Sequence, residues 1–337
     1  MKRIFIAAAL LGLFACNRED VVSENDLTPT AISFNNVATR AGLTDLQTNG
    51  FGVWATTSST ANNSAAILTN EKVYMDGGLW TYDNTRYWVE NCKFYFLAVW
   101  PYSEDNSPVT QHDIVQDGVN YTGYTMAVTT PAAADYDPLV ATNVTDTTVE
   151  GYATTVPLTF EHLMCKVNLK IEQDFDKTPD FDYYVSKVTV TGIKGSGTLF
   201  AMPYGDTVYR GWDFTDATNI NFEKSYTTPV RLRDLDAEDK SITLTVFGDG
   251  LLLIPQEITA SAVRVTVEYY YDVNKDDSDY GDAKSVDVFI PASADLWQSN
   301  KSIAYKLAIA ESNEIKFLAP TIESWGAPQT GGTIIIK

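Results

Sequence analysis

Histidine, cysteine and positive charge are all scarce in this sequence, and each scarcity excludes a class of function. There are 2 histidines, His112 and His162. No H-E-x-x-H pair occurs, so the helix-borne zinc-protease site is absent. There are 3 cysteines, at 16, 92 and 165. None forms a C-x-x-C pair for zinc or thiol redox chemistry. No G-x-S-x-G nucleophile elbow is present. Lysine and arginine number 24 against 44 acidic residues, a formal net charge of -20. Nucleic acid needs a basic face to neutralise phosphate, so nucleic-acid binding is excluded. Polybasic contact with anionic lipid is disfavoured for the same reason.

Long apolar runs are missing as well, apart from one at the start. Met1-Lys2-Arg3 is a short basic region, and Ile4 to Phe14 is apolar but too short to span a bilayer. This pattern predicts an export signal over residues 1–15. It ends in Leu13-Phe14-Ala15-Cys16, a small residue before a lone cysteine, which is the bacterial lipobox pattern. Cys16 is therefore expected to carry an acylated lipid and to be the only anchor. Cleavage before Cys16 removes Lys2 and Arg3 and takes the formal charge from -20 to -22. Residues 16–30 are polar and acidic and read as a tether. Cys92 and Cys165 are then left. Nothing in their spacing requires a disulfide, and two core thiols on strands are the simpler reading.

What the chain does have is strand composition: 12% aromatic residues, 19 of them tyrosine, with frequent threonine and valine. Its apolar residues recur with a period of two rather than 3.6. Ile32 and Phe34 alternate with Ser33 and Asn35. Phe51 to Ala55 follows a Thr-Asn-Gly turn signal. Lys93 to Trp100 is nearly all apolar and stops at Pro101. Val156 to Phe160 and Cys165 to Ile171 are further strand runs. At 174–182 the chain turns acidic and carries Pro179, which marks a boundary. Strand runs then resume at Val185–Thr191, Ile242–Phe247, Leu251–Ile254, Val263–Tyr271, Ser285–Ile290, Ile303–Ile309 and Ile315–Leu318. Short strands between Gly, Asp, Asn and Pro clusters predict an all-β fold of sandwich or barrel type. Two β-domains are expected in series, over 31–173 and 183–337.

Several patterns resemble functional motifs and have plainer explanations. Gly192 to Gly197 lacks the Gly-Lys-Ser/Thr ending of a phosphate loop and reads as a glycine-rich hairpin. Asp272 to Ala283 begins like a calcium loop, but Asp277 stands where glycine is needed and Ala283 where the last ligand is needed. A solvated hairpin tip fits it better. The many acidic residues form no distinctive carboxylate pair, so no glycosidase site is read. Exposed Trp and Tyr could stack on a glycan, although strand aromatics are more often core. No catalytic residue, metal site or cofactor is expected.

Taken in order, a set of short segments resembles the fimbrillin family, the Mfa-like subunits of the type V pilus of Bacteroidetes. They are the lipobox, Ile32-Ser33-Phe34 followed by Ala38-Thr39-Arg40-Ala41, Phe51 to Ala55, Tyr87-Trp88, and Phe94 to Ala98 ending at Pro101. Asp137-Pro138-Leu139-Val140-Ala141, Leu158 to His162 with Lys166, Leu253-Ile254-Pro255-Gln256, and Trp297 with Tyr305 complete the set. Val89 stands where the family often has proline, and Phe200 to Phe222 aligns with nothing in it. The resemblance implies two tandem transthyretin-like β-sandwich domains and a surface lipoprotein that is not an enzyme. It also implies a mode of assembly. An Arg-specific surface protease removes the tether and first strand, and a strand from another pilin subunit fills the groove. In this chain that scheme assigns processing to Arg40 and strand displacement to Ile32 and Phe34. Ile315, Phe317, Ile334 and Ile336, within 314–337, become the donor-strand contacts. The expected partners are other pilin subunits, outer-membrane lipid through Cys16, the protease, and a host or bacterial surface ligand. A glycan-binding surface lipoprotein that never polymerises is the alternative.

Overall fold

The structure is a computed structural model. It describes residues 29–39, 43–59, 64–104, 109–116, 119–130, 137–174, 182–234, 240–272, 281–293, 297–311, 314–323 and 325. The first elements are β1 (Ser33–Thr39), α1 (Leu43–Asn49), β2 (Phe51–Ser59), β3 (Ser64–Asp76), β4 (Leu79–Thr81), β5 (Cys92–Trp100), β6 (Val109–Gln116) and β7 (Val119–Thr129). There follow β8 (Leu139–Asp146), β9 (Thr155–His162), β10 (Cys165–Gln173), β11 (Asp182–Lys194), β12 (Ser196–Tyr204), β13 (Thr207–Asp213), β14 (Asn219–Arg231), β15 (Arg233–Asp234) and β16 (Lys240–Ser241). The last are β17 (Leu244–Thr245), β18 (Leu251–Leu253), β19 (Arg264–Asp272), β20 (Lys284–Phe289), β21 (Ser302–Glu311), β22 (Glu314–Phe317) and β23 (Thr321–Glu323). The chain is all-β as its periodicity predicts, and α1 is the one helix among the described residues.

Four sheets carry the fold. A seven-stranded sheet runs β1-β9-β8-β5-β2-β3-β4, and a four-stranded sheet β13-β12-β7-β6 lies beside it. The later chain supplies β14-β11-β19-β20 and a mixed sheet β17-β10-β21-β22, in which β18 also pairs with β10 and β23 with β21. The strand β5 explains how these layers meet. Its side chains alternate in direction, so Phe94, Phe96 and Ala98 enter one core while Leu97 and Val99 enter another. Both faces are covered, which is why its sequence is an unbroken apolar run. β2 behaves likewise, with Phe51, Val53 and Ala55 in the first core and Trp54 in the second of these layers.

Three apolar clusters result. The first core gathers side chains from Ile32 to Phe160. A bridging core joins the back of the seven-stranded sheet to Tyr124, Met126, Val128, Leu199 and Ala201 of β7 and β12. The C-terminal core fills the space between the β10/β21 and β11/β19 sheets. Residues 175–181, most of the boundary read from composition, lie outside the described residues. β10, just before that segment, adds Cys165, Val167, Leu169 and Ile171 to the C-terminal core. It pairs with β17, β18 and β21, all from the later half. An acidic, proline-bearing stretch breaks the run of strand patterns in the sequence. It does not say on which side of the break a strand finds its partners.

Other local expectations are corrected. Gly192 to Gly197 is not a hairpin. It is a corner at which the chain leaves the β11 sheet and enters the β12 sheet. Gly192 adopts φ +85°, and a Cβ there would lie 2.0 Å from the Ala262 carbonyl oxygen, so glycine is needed for close approach. The Thr-Asn-Gly signal before β2 is the end of α1. Gly50 takes φ +66° and its N–H donates to the Leu46 carbonyl at 2.9 Å, the left-handed cap that ends many helices. Of the run expected over Ile242–Phe247, only Leu244 and Thr245 pair as a strand. The stretch Phe200 to Phe222 forms the end of β12, all of β13 and the start of β14. The strands flanking the acidic 272–282 segment, β19 and β20, do pair antiparallel as a hairpin, and its tip, 273–280, is outside the described residues.

Candidate functional site

The first strand is held in a way that differs from every other strand of its sheet. β1 sits at the sheet edge, and β9 is its one neighbour in the strand order. The pairing is parallel and its register breaks between Ser33 and Asn36. Pro157, opposite Asn36, has no N–H to give to a ladder. Just before β1, the Ile32 N–H donates to the Arg86 carbonyl at 2.8 Å, and the Trp88 N–H donates to the Thr30 carbonyl at 3.0 Å. The Tyr82 hydroxyl donates to the Ile32 carbonyl at 2.9 Å and accepts the Arg86 N–H at 3.0 Å. Burial pushes the Tyr82 phenol above its ordinary pKa, so it remains a donor across the neutral range.

Two buried side chains add to this attachment. Ile32 is 2% exposed and Phe34 0%. The Phe34 ring meets Tyr82 edge-on at 5.6 Å and Phe96 at 6.1 Å. Residues 40–42, which include Arg40 directly after β1, lie outside the described residues, as does Cys16. No processing geometry at Arg40 is therefore described.

The C-terminal segment edges a different sheet. Ile315 and Phe317 of β22 stand opposite Ile309 and Leu307 of β21. β23 continues along the same strand, with Thr321, Ile322 and Glu323 opposite Ala304, Ile303 and Ser302. Between them the Leu318 N–H donates to the Lys306 carbonyl at 2.8 Å. In the described chain this edge pairs within its own subunit. Ile334 and Ile336 lie outside the described residues. The structure does not bring β1 and β22 together, since they border separate sheets.

The remaining motif residues are internal fasteners. Buried Gln256 accepts the Lys194 N–H at 3.0 Å and donates to the Ile254 carbonyl at 3.1 Å. Trp297 Nε1 donates to the Tyr305 hydroxyl at 3.0 Å inside the C-terminal core. His162 Nδ1 contacts the Asp137 carboxylate, and the His162 ring stacks on Trp325 at 4.5 Å. Trp325 carried no signal in the sequence, because a single tryptophan after a proline-containing stretch has no periodic context. Cys92 and Cys165 are free, buried, and placed in separate cores.

Among the described residues no cluster of three or more His, Cys, Asp or Glu is placed to hold a metal. The fully buried carboxylate, Asp182, is taken up by Arg231 and Arg233. A void of about 10 Å³ in the C-terminal core is lined by apolar side chains such as Val167, Phe247 and Trp297. A space that small and apolar stays dry. No helix is long and apolar enough to cross a membrane among the described residues.

The fimbrillin-like family model matches residues 39–325, most of the chain. The chain belongs to the fimbrillin-like family. A fimbrial protein from Bacteroides vulgatus ATCC 8482 is 17% identical, with 88% of this chain and 99% of that chain covered and a TM-score of 0.61. A fimbrial assembly protein from Parabacteroides distasonis ATCC 8503 is 12% identical, covering 88% of this chain and 100% of that one, with a TM-score of 0.37. At such identities the likeness concerns fold alone, and the first comparison carries it. No curated protein sequence matches the chain. The family to which the chain belongs is one of fimbrial proteins rather than enzymes.

Proposed function

We propose that this fimbrillin-like chain is a structural subunit of a cell-surface fimbria, assembled by replacing its first strand with a strand from another subunit. The observation that carries the reading is the attachment of β1. It is an edge strand in an irregular parallel ladder, yet it supplies Phe34 to the first core, and the residue just before it supplies Ile32. An edge strand can leave without any other strand being unthreaded. Its departure would expose an apolar groove and the hydrogen-bonding edge of β9. Each large side chain that refills such a groove contributes roughly 1.5–3 kcal/mol, and the backbone edge supplies register.

The remaining parts are assigned as follows. Cys16 carries the lipid that holds the precursor at the outer membrane. An Arg-specific surface protease cuts after Arg40, the residue that follows β1 by one position, and frees tether and strand together. The segment 314–337 supplies the donor, with Ile315, Phe317, Ile334 and Ile336 as its contacts, and alternation gives each pair a common face. The subunit is read as two sandwich domains, the second completed by β10 from before the 174–182 segment, and its fimbrillin-like family supports a place at the cell surface. The other partners are pilin subunits and a surface ligand.

The test is limited digestion of purified Cys16→Ser protein with an Arg-specific protease, followed by N-terminal mass mapping and electron microscopy. A single cut after Arg40 followed by filaments or ladders is the expected result. Resistance at Arg40 with a persistent monomer would remove the reading.

A further inference from the structure

The segment from β22 to β23 lies along β21, but its described side chains do little to hold it. Leu318, Ala319, Thr321 and Ile322 are exposed, Ile322 at 65%. Among the described side chains from Leu318 to Trp325, Trp325 alone packs against the cores, and it touches both the bridging and the C-terminal one. Its ring lies 4.5 Å from that of His162, with 24° between the planes.

The platform under Trp325 is the last residue of β9. His162 is oriented by the Asp137 carboxylate, which approaches from the residues leading into β8. The adjacent Glu161 is engaged by Arg210 of β13 and does not compete for the imidazole. β9 itself has two attachments in its sheet. It pairs with β1 from Thr155 to Phe160, and with β8 through Glu161 and His162. Thr39, the final residue of β1, stands opposite Phe160, two positions before His162. Loss of β1 leaves β9 held in the sheet by its last two residues, the same two that carry the Trp325 platform.

We infer that Trp325 stacked on His162 is a latch that holds segment 314–323 on its own subunit and that loosens when β1 leaves β9. The latch is a property of the folded monomer. Only its use in assembly rests on the reading of the segment as a donor strand.

Hydrogen exchange on full-length, uncut Cys16→Ser protein tests it without any protease or filament. A stacked aromatic pair adds up to about a tenfold preference beyond its burial. Trp325→Ala is expected to speed exchange of amides 318–323 about tenfold, leave β19 amides unchanged, and be rescued by Trp325→Phe. Phe34→Ala, which loosens β1, is expected to speed the same amides in the wild-type background. It should add nothing once Trp325 is alanine, the non-additivity expected of one coupled unit. Unchanged exchange in Trp325→Ala, equal acceleration of β19, or additive effects of the two substitutions would each overturn the latch. Failure of these variants to alter filament formation, with the exchange results as expected, would instead count against the donor-strand reading.

Discussion

Phe34→Ala measures how much of the first core rests on the strand that maturation is proposed to discard. The side chain is fully buried and met edge-on by Tyr82 and Phe96. Truncating a buried phenylalanine costs about 3–5 kcal/mol, transfer and cavity together. The close aromatic neighbours, both anchored on other strands or turns, limit collapse and favour the upper part of that range. A typical domain has roughly 5–15 kcal/mol of stability, so the loss is a large fraction. Urea titration of Cys16→Ser protein, followed by tryptophan fluorescence, is the assay. Trp80 and Trp88 sit in the first core and report its transition once the other tryptophans of the 7 in the chain are replaced by phenylalanine. At a slope of about 1–3 kcal/mol per molar urea, the first-core midpoint should fall by roughly 2 M. Phe96→Ala, on β5 in the same core, should cost a similar amount. A loss under about 1 kcal/mol for Phe34→Ala, with Phe96→Ala behaving as expected, would refute the claim that β1 is integral to the precursor core.

Three further outcomes are expected. Burial raises the pKa of Cys92, Cys165, Tyr269 and Tyr305. Stability from a raised pKa is complete below the unfolded value and lost as pH climbs toward the folded one. Unfolding free energy should therefore decline from about pH 8.5 upward, where unfolded thiols ionise, and native thiols should resist maleimide at pH 8. A flat or rising profile would contradict the burial argument. Asp182→Ala leaves Arg231 and Arg233 without the carboxylate that they share, and should cost about 3–5 kcal/mol by urea titration. Ile334→Asp combined with Ile336→Asp should abolish filaments after protease treatment while leaving the melting temperature of the uncut monomer unchanged. Normal filaments from that variant would remove those two residues from the donor role.

Much of this fold is written locally in the sequence, and the parts that are not have identifiable causes. β5 and β10 are legible because strict alternation or an unbroken apolar run survives in them. The β12–β13 hairpin is not, because one face of it is open to solvent and tyrosines such as Tyr204 and Tyr209 are exposed there. Apolar residues then appear on both faces and blur the period of two. α1 spans 7 residues, too few for a helical period to register. The candidate site was half legible. Ile32 and Phe34 announce a buried strand face by alternation. That β1 pairs parallel with a strand more than a hundred residues away is a tertiary fact with no local signature. The same holds for Trp325, whose partner His162 lies on the opposite half of the chain. Gln256, Trp297 and Tyr305 are legible as apolar-context polar groups, and the structure uses them to fasten the fold.

The most direct measurement of strand replacement is hydrogen exchange along β9, from Thr155 to His162, in three samples: uncut precursor, freshly cut monomer and assembled filament. Strand replacement predicts amides that are protected in the precursor, open in the cut monomer and protected again in the filament. Equal protection in all three would show that nothing vacates or refills the place of β1, and would contradict the account.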